Sequence, residues 1–517
     1  MLFRICRSVD DISKLFSDPL ILLPIVLSKD KKVVRFLTTS ARNLVEAIRN
    51  TTKALPDTSL IHFRITTGNV IIRIFSIKDV AVACVKEDLS GQVIVYGASA
   101  LEDLSKMLEQ DVQVSLLIEE IPLKVLESQV SSHIQRCIEE AEKPWFFAWR
   151  SKGLYGFRVE EVISDRGAYT YVLKAVDPGG DVKVLKVLKE EVAVGKSFSD
   201  LLRGYINSLM LYSLNEQDLN ELAKLSGYSP DLVKELFRFR RYIAPVRAVL
   251  ILRDRLERSD YLANPPTVVE DYASRGDLEA YIQSSGGRGI EETMYIASRV
   301  LGAVALAHLI KVAHLNIKPR NILLFDDRQE RFGYIPKVTD FSEALGDPRH
   351  GYRISRVSPG FSDPLALARG VADPSYDAYS IAMVIAFTIS GAVPKHRLLL
   401  NALLLQNIYN YPVTVEKVRD DEKPLKDFMK AALNLVLQLK SKSISWQDFV
   451  QKISDDVESL DLVYMPWINE APKTIATVIR RGMTLKPDAR YRSCVEMWTD
   501  LRDAIIKEGL SSILPSQ

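Results

Sequence analysis

The chain of 517 residues is longer than one hydrophobic core normally serves, so we expect two or three domains. Its 68 lysines and arginines nearly balance its 66 aspartates and glutamates, which gives no electrostatic reason to expect binding to nucleic acid or to a membrane surface. The most apolar later stretch, residues 381–394, is shorter than the ~20 residues that span a bilayer, and charges interrupt the N-terminus where a signal peptide needs an apolar core, so we expect no membrane association and a cytoplasmic location.

Residues 1–121 are predicted to form a small α+β domain. Their pattern indicates a helix over 40–54, strands at 59–66, 69–76, 80–86 and 92–97, a helix at 98–109 and a strand at 112–119. A Thr-Gly pair separates the first two strands, as in a tight turn. No group of titratable residues stands out here, so we expect a regulatory, interaction or dimerising domain, and an additional packing module is the alternative.

Residues 122–142 are predicted to form a polar connecting helix, followed by a larger domain at 143–508 and a tail at 509–517. Aromatic residues and new strand patterns begin after Pro144, which places the boundary near residue 140. The four cysteines, Cys6, Cys84, Cys137 and Cys494, are far apart and form no C-x-x-C pair. This argues against a zinc site and fits unpaired thiols in a reducing compartment.

The larger domain contains a series of recognisable segments. VISDRGAYTYVLKAV (162–176) reads as a hairpin, and DVKVLKVLKE (181–190) reads as a strand in which alternate residues share a face. A helix begins at Ser229-Pro230. PPTVVEDYASRGDLEAYI (265–282) reads as a strand, a loop and a helix, and HLNIKPRNILL (314–324) and KVTDFSEAL (337–345) follow.

Taken in order, these segments resemble the motifs of the eukaryotic-type protein kinases, from about residue 150 to 508. HLNIKPRNILL is similar to the H-R-D-L-K-P-x-N loop, and Asp-Phe-Ser at 340–342 is similar to D-F-G. Several motifs in the right order are far more specific than any one of them. The resemblance implies an α+β, bilobal kinase fold, with a small β-rich N-lobe and a large helical C-lobe, behind the small N-terminal domain.

The resemblance assigns residues around the phosphates of ATP. Gly167 and Val172 would belong to the phosphate-covering loop, although only the middle glycine of G-x-G-x-x-G is present. Lys186, with Val184 beside it on one face of the strand, would hold the α- and β-phosphates. Lys318 would steady the γ-phosphate.

The resemblance also implies how the adenine would be held. The backbone around Asp271 would hydrogen-bond the purine, and Leu323 would pack beneath it. The residue at the back of the pocket stays open between Val269 and Glu270, because the register of the strand is uncertain by one.

The phosphate-binding lysine of the family needs a carboxylate partner on a helix. Glu235 is our candidate, because Pro245 follows it by ten residues, as a proline-containing turn follows the helix glutamate in the family. This assignment makes residues of about 195–228 a helical insertion. The alternative is a surface glutamate among basic neighbours.

The resemblance also assigns residues to the metal ion and to the reacting hydroxyl. Asn321 and Asp340 would bind Mg²⁺, so the implied cofactors are ATP and Mg²⁺. Asn316 stands where the family has its catalytic aspartate. An amide can orient a hydroxyl but has no useful basicity, and general-base contributions are typically ~10²–10⁴-fold.

Three further positions bear on the resemblance. Asp377 would hold the backbone of the catalytic loop from the first turn of a helix. The glutamate of the family's A-P-E triplet aligns with Leu365, so we expect Arg490 to lack its usual ion-pair partner. Leu315 replaces the arginine of H-R-D, which makes control by activation-loop phosphorylation less favoured.

Together these residues predict an ATP- and Mg²⁺-binding kinase homologue that acts on a protein substrate or a signalling partner. It is either a weak, atypical Ser/Thr kinase or a pseudokinase. The rival hypothesis is a signalling scaffold that uses the kinase fold as an interaction surface, and a small-molecule kinase is a third. Retention of Asn321 and Asp340 favours bound nucleotide, because a pure scaffold needs neither.

Overall fold

The computed structural model describes residues 3–515 with gaps at 57, 111, 127, 168, 194–198, 216–217, 219–220, 222–223, 225, 253–255, 257, 342–345, 348–350, 355–356, 412, 414–417 and 420–421. The chain divides into two compact units. The first unit is Met1–Asp181 with Leu256–Pro265, and the second unit is Val182–Arg255 with Pro266–Gln517.

The strands in chain order are β1 (Arg4–Ile5), β2 (Lys32–Ser40), β3 (Ser59–Thr67), β4 (Val70–Ile77), β5 (Val80–Asp88), β6 (Val93–Tyr96), β7 (Gln113–Pro122), β8 (Arg158–Ser164), β9 (Thr170–Val176), β10 (Val182–Leu188), β11 (Val246–Leu250), β12 (Thr267–Asp271), β13 (Ile322–Asp326), β14 (Tyr334–Val338), β15 (Gly346–Asp347), β16 (Gly351–Arg353) and β17 (Val371–Ala372).

The α-helices in chain order are α1 (Val9–Phe16), α2 (Pro19–Val26), α3 (Ala41–Ala54), α4 (Ala98–Leu108), α5 (Ser128–Glu139), α6 (Pro144–Lys152), α7 (Glu190–Ala193), α8 (Ser199–Ser213), α9 (Pro230–Phe237), α10 (Arg258–Tyr261), α11 (Leu278–Ser285), α12 (Ile290–Leu309), α13 (Pro364–Arg369), α14 (Ser375–Ser390), α15 (Lys395–Ile408), α16 (Lys423–Lys440), α17 (Trp446–Tyr464), α18 (Trp467–Glu470), α19 (Lys473–Met483) and α20 (Cys494–Lys507).

The first unit is built on a seven-stranded sheet with the order β1-β5-β4-β3-β7-β2, in which β6 also pairs with β5. β1 is parallel to β5, and the other pairs are antiparallel. The strands predicted at 59–66, 69–76, 80–86, 92–97 and 112–119 and the helices predicted at 40–54 and 98–109 are all present. Apart from β6, whose Ile94 and Tyr96 are exposed, their apolar residues are largely buried, which is why the pattern located them.

Charged groups are buried inside this sheet. The His62 ring is fully buried and its Nδ1 lies 2.9 Å from Oε2 of Glu119. Lys31 contacts the other oxygen of Glu119 at 2.8 Å. The hydrogen bond from His62, with Lys31, outweighs burial and lowers the pKa of Glu119 to about 2.

A disulfide corrects the expectation of unpaired cysteines. Cys6 and Cys137 are bonded and close a loop with a sequence separation of 131. They join the segment after β1 to α5, whose Val130 and Ile134 are buried in the core of the first unit. Spacing alone did not indicate the pair because the cysteines meet only through tertiary packing.

The β8–β9 hairpin, which was predicted as the phosphate-covering loop, belongs to the first unit. The ring of Trp145 in α6 stacks on Tyr171 in β9 with centroids 3.8 Å apart. Lys143 forms an ion pair with Asp165 in the hairpin turn. The negative charge that the sequence places in this turn is therefore balanced within the first unit.

The second unit combines a small antiparallel ladder, β10-β12-β11, with a helical core. In α12 every residue from Thr293 to Leu309 is buried, and in α14 every residue from Tyr376 to Thr388 is buried. The apolar stretch near residue 381 is thus a core helix, as expected. Among the described residues, no helix has the length and apolar character needed to cross a membrane.

The predicted α+β class is confirmed: the N-terminal unit is rich in strands, and the second unit is a mixed α/β unit rich in helix. The predicted boundaries at 121, 142 and 508 stay predictions.

Candidate functional site

The register between β10 and β12 places a lysine and a glutamate side by side. Lys186 lies opposite Val268, and Val184 lies opposite Glu270. Residues two apart on a strand share a face, so Glu270 points to the same side as Lys186, whereas Val269 does not. Lys186 Nζ lies 2.8 Å from Oε1 of Glu270, whose side chain is only 3% exposed. Glu270 is therefore the one of the two open candidates that shares the face of Lys186.

The expected pairing of Lys186 with Glu235 is wrong. Glu235 lies on α9 and forms an ion pair with Arg502 of α20 at 2.7 Å. It also accepts a hydrogen bond from Trp498 Nε1 at 3.2 Å. The apolar face of α9, with Val233 and Leu236, is buried in the main core of the second unit, and this packing turns Glu235 toward α20. Spacing from Pro245 could not reveal that orientation.

A tyrosine from the predicted insertion reaches Lys186 instead. Tyr205 lies on α8, is 5% exposed, and its ring centroid is 5.7 Å from Lys186 Nζ. Burial alone would lower the pKa of Lys186. The negative charge of Glu270, followed by Tyr205 and Asp340, outweighs burial and raises the pKa, so the amine stays a cation. The remaining part of the insertion lies partly outside the described residues.

Asp377 holds the backbone of the loop that begins at His314, as predicted. Its Oδ2 accepts from the backbone N–H of His314 at 2.6 Å, and its Oδ1 accepts from that of Leu315 at 2.7 Å. His308 Nε2 lies 3.0 Å from the same carboxylate. Leu315 has a φ of +59°, a left-handed conformation that is strained for a leucine and persists only where the surroundings enforce it.

His314 connects this loop to the segment before Asp340. The ring is fully buried; its Nε2 lies 2.9 Å from the carbonyl oxygen of Thr339 and its Nδ1 lies 3.2 Å from the backbone nitrogen of Asn316. A ring that donates from Nε2 and accepts at Nδ1 is neutral. Burial, the largest influence, lowers the pKa of His314 and favours this neutral form. Asp340 itself has a left-handed φ of +68°.

Asn316, Asn321 and Asp340 lie together. Asn316 Nδ2 donates to Oδ2 of Asp340 at 3.4 Å, and Asn321 Nδ2 donates to the backbone oxygen of Asn316 at 2.8 Å. Asn316 is 3% exposed and Asn321 is 8% exposed. Ser358 Oγ donates to Asn316 Oδ1 at 3.3 Å, a contact that sequence reasoning missed. Residue 342 of the Asp-Phe-Ser triplet lies outside the described residues.

The other predicted site residues are distributed around this cluster or apart from it. Lys318 is partly exposed in the same loop as Asn316. Leu323 is partly buried on β13 and is paired with Lys337 in the β13–β14 ladder. The Asp271 carboxylate contacts Arg247 and Lys183. Burial would raise its pKa, but these two cations outweigh burial and lower the pKa.

Gly167 is exposed in the β8–β9 turn, and Val172 is partly buried and pairs with Ser164. Both belong to the first unit, and their role toward a nucleotide stays a prediction.

Arg490 has a carboxylate partner, contrary to expectation. Its Nη1 lies 2.9 Å from Oδ2 of Asp363, and the two side chains are 3% and 4% exposed. Asp363 also caps α13 by accepting from the backbone N–H of Leu365. In the A-P-E pattern the acid follows the proline, whereas here Asp363 precedes Pro364. The alignment placed Leu365 at the acid position and therefore did not reveal the ion pair between Asp363 and Arg490.

Comparison with known proteins agrees with this geometry. A protein kinase domain model matches residues 246–452. Serine/threonine-protein kinase PknK of Mycobacterium tuberculosis is 22% identical over 248 residues, which are 48% of this chain and 18% of that protein. Serine/threonine-protein kinase PrkC of Bacillus subtilis is 29% identical over 130 residues, 25% of this chain and 19% of that protein. Serine/threonine-protein kinase dkf-1 of Caenorhabditis elegans is 30% identical over 122 residues, 23% of this chain and 17% of that protein.

This chain therefore spans less than a fifth of the length of these relatives. The matched domain contains the loop around Asn316, the Asp340 segment and the Asp377 anchor. From these matches and this geometry, we conclude that residues 246–452 form a domain similar to those of the eukaryotic-type protein kinase superfamily.

Proposed function

We propose that the second unit binds ATP with Mg²⁺ and is a weak, atypical Ser/Thr phosphotransferase toward a protein hydroxyl, close to a pseudokinase. One observation supports this most directly: Asn316, in the place of the catalytic acid, contacts both Asp340 and Ser358. The two side chains that the resemblance assigns to the metal, Asn321 and Asp340, both lie next to Asn316, which replaces the proton acceptor.

The donor set suits magnesium. Mg²⁺ binds oxygen ligands and usually takes one or two from the protein, with water and phosphate supplying the others. Asn321 Nδ2 donates to the backbone oxygen of Asn316. Among the described residues, no hydrogen-bond donor contacts Asn321 Oδ1. An amide oxygen from Asn321 and a carboxylate from Asp340 would hold the ion, which when bound neutralises charge on the phosphates.

The cations of the chain would complete the site. Lys186 and Lys318 would stabilise the phosphate oxygens, and phosphoryl transfer depends mainly on such positioning and charge neutralisation because its transition state is loose. Asn316 Oδ1 already accepts from a hydroxyl, that of Ser358, so it can orient a substrate hydroxyl in the same way. It cannot take the proton, which lowers turnover by about 10²–10⁴-fold.

The alternative is a signalling scaffold in which the kinase fold presents a surface and binds no nucleotide. The two proposals differ in one property, which is whether ATP and Mg²⁺ stabilise the protein.

A thermal-shift assay on the full chain separates them. A ligand at about 100 times its Kd stabilises the folded state by about 2.7 kcal/mol, so ATP with Mg²⁺ should raise the Tm measurably. Asp340→Asn should remove that response, whereas Asp488→Asn, which changes an exposed aspartate of the same unit, should keep it. No response of the unaltered protein to ATP and Mg²⁺ would leave the scaffold as the better proposal.

Self-association through the first unit also remains a proposal. β2 is at the end of the sheet order and exposes Val33 and Phe36, at 62% and 66%. An exposed edge strand is a template for pairing with a second chain. Light scattering after size exclusion should give a dimer mass for the unaltered protein and a monomer mass for Phe36→Lys; a monomer in both cases contradicts it.

A cytoplasmic location stays a proposal as well. The Cys6–Cys137 disulfide argues against a cytoplasmic location, because disulfide bonds are rare in reducing compartments. Fractionation of cells, followed by counting the free thiols of the recovered protein, tests both points together.

A further inference from the structure

The surroundings of Lys186 show how its amine is oriented. An ammonium group has three donors. Lys186 Nζ lies 2.8 Å from Glu270 Oε1 and 3.4 Å from Thr339 Oγ1. The ring of Tyr205 lies 5.7 Å away. Two of the three N–H groups therefore have acceptors among the described residues, and one remains for a ligand oxygen.

Glu270 is itself fixed on both oxygens. Its Oε1 accepts from Lys186, and its Oε2 accepts from Thr339 Oγ1 at 3.4 Å. Thr339 precedes Asp340 directly, so the same carboxylate touches the phosphate-binding amine and the segment that carries the metal ligand. With 3% side-chain exposure, Glu270 has little access to water, which strengthens its electrostatic contact with the amine.

The geometry of this pair is set by strand pairing. β10 and β12 are joined along five register pairs, from Lys183 opposite Asp271 to Val187 opposite Thr267. Lys186 and Glu270 are therefore positioned by one ladder of backbone hydrogen bonds. The helix glutamate expected in this role, Glu235, is committed to Arg502.

We propose that Glu270 is the positioning residue for the phosphate-binding amine of Lys186, so that the affinity for nucleotide phosphates is set within the sheet and does not depend on a glutamate from a helix. The inference rests on the proposed function, because it concerns the same nucleotide site. It assigns to Glu270 a role in holding phosphates through Lys186 and none in holding the nucleobase.

This assignment predicts a split between two ligands. ATP carries the phosphates that Lys186 would bind, whereas adenosine has the same base and no phosphates. Removing the charge of Glu270 leaves a buried ammonium group without its ionic partner and free to reorient, and hydrogen bonds to charged groups are worth about tenfold to one hundredfold in an equilibrium constant. Adenosine binding should be unaffected.

The test is isothermal titration of the full chain with Mg²⁺-ATP and with adenosine. Glu270→Gln should bind Mg²⁺-ATP about 10- to 100-fold more weakly and adenosine within about twofold of the unaltered protein. Glu235→Gln is the matched control and should change neither affinity. Circular dichroism verifies that each variant is folded.

Should Glu270→Gln not fold, Glu270→Asp keeps the charge on a side chain one methylene shorter. It should still lower the affinity for Mg²⁺-ATP by about tenfold and leave the affinity for adenosine unchanged. The inference is overturned if the Glu270 variants bind ATP as well as or better than the unaltered protein, if they lose ATP and adenosine equally, or if Glu235→Gln weakens ATP to the same degree. If the unaltered protein binds neither adenosine nor ATP measurably, the proposed function itself is overturned.

Discussion

Replacing Asn316 with aspartate restores the acid of the family pattern, and the structure predicts a cost that the pattern does not. Asn316 Nδ2 lies 3.4 Å from Oδ2 of Asp340, so Asn316→Asp turns a hydrogen bond into a contact between two carboxylates. At this separation two unit charges repel by about 5 kcal/mol at an effective dielectric constant of about 20. Protonating one of the two at pH 7 costs only about 4 kcal/mol, which caps the penalty. We therefore expect a destabilised protein in the absence of metal.

Magnesium should reverse this penalty, because the cation neutralises both carboxylates. Thermal unfolding of Asn316→Asp should thus show a lower Tm than the unaltered protein without Mg²⁺, and a larger rise on adding Mg²⁺-ATP. The double variant Asn316→Asp with Asp340→Asn exchanges the two side chains. It should recover the Tm without metal and lose the response to Mg²⁺-ATP.

Phosphotransfer is the second measurement on the same variant. With Mg²⁺-ATP bound, Asn316→Asp should raise transfer to a generic protein substrate, by up to the ~10²–10⁴-fold that a general base contributes. Two results would refute the reasoning. An unchanged Tm without metal would mean that residues 316 and 340 are not adjacent, and an unchanged transfer rate despite a normal Mg²⁺ response would leave the scaffold or small-molecule hypotheses.

Three further predictions concern stability. Asp363→Asn should lower the free energy of unfolding by about 3–5 kcal/mol in urea, because it leaves Arg490 buried without its partner; a loss below about 1 kcal/mol contradicts this. The folded pKa of Glu119, about 2, is below its ordinary value of 4.5, so its contribution is complete above pH 4.5 and is lost as the pH falls toward 2. Glu119→Gln should accordingly be less stable than the unaltered protein at pH 7 in urea, and the difference should vanish over that range; a constant difference refutes it. Reducing the Cys6–Cys137 bond should cost up to about 5 kcal/mol, as a loop of this length predicts, and Cys137→Ser should show no response of its Tm to reductant.

The strands of the first unit were predicted well, because β3, β4 and β5 are rich in β-branched and other apolar residues and are bounded by turn residues. The elements before residue 40 were not predicted, although α1 has apolar residues at helical spacing, Val9, Ile12 and Phe16, all of which are buried. The signal in α2 is weaker. Prolines stand at the first and at an interior position of α2, and Leu20 and Leu23 of that helix are exposed, so no helical periodicity is visible. β2 is likewise exposed over its first half, and its apolar residues do not alternate with polar ones.

At the site, the residues that lie in specific motifs are close together in the structure, whereas the partners of Lys186 lie outside any motif and were not predicted as such. Asn316, Asn321 and Asp340 lie on two short segments whose motifs are specific, and they meet as expected. Glu270 and Tyr205 lie 84 and 19 residues from Lys186 along the numbering, and only strand register and helix packing bring them to it. β10 and β12 are not joined by a short turn that would fix their register, so the sequence near Lys186 does not reveal its partner on β12.

The ion pair between Asp363 and Arg490 bears on how degenerate members of such families are compared. When the A-P-E triplet is compared with this chain position by position, Leu365 stands at the place of the glutamate, and the acid is recorded as missing. In three dimensions the arginine still meets a carboxylate, which has moved along the chain from one side of Pro364 to the other. In an alignment of homologues the covariation should therefore link positions 363 and 490, and a proline-centred triplet without its acid does not by itself mark a decayed protein.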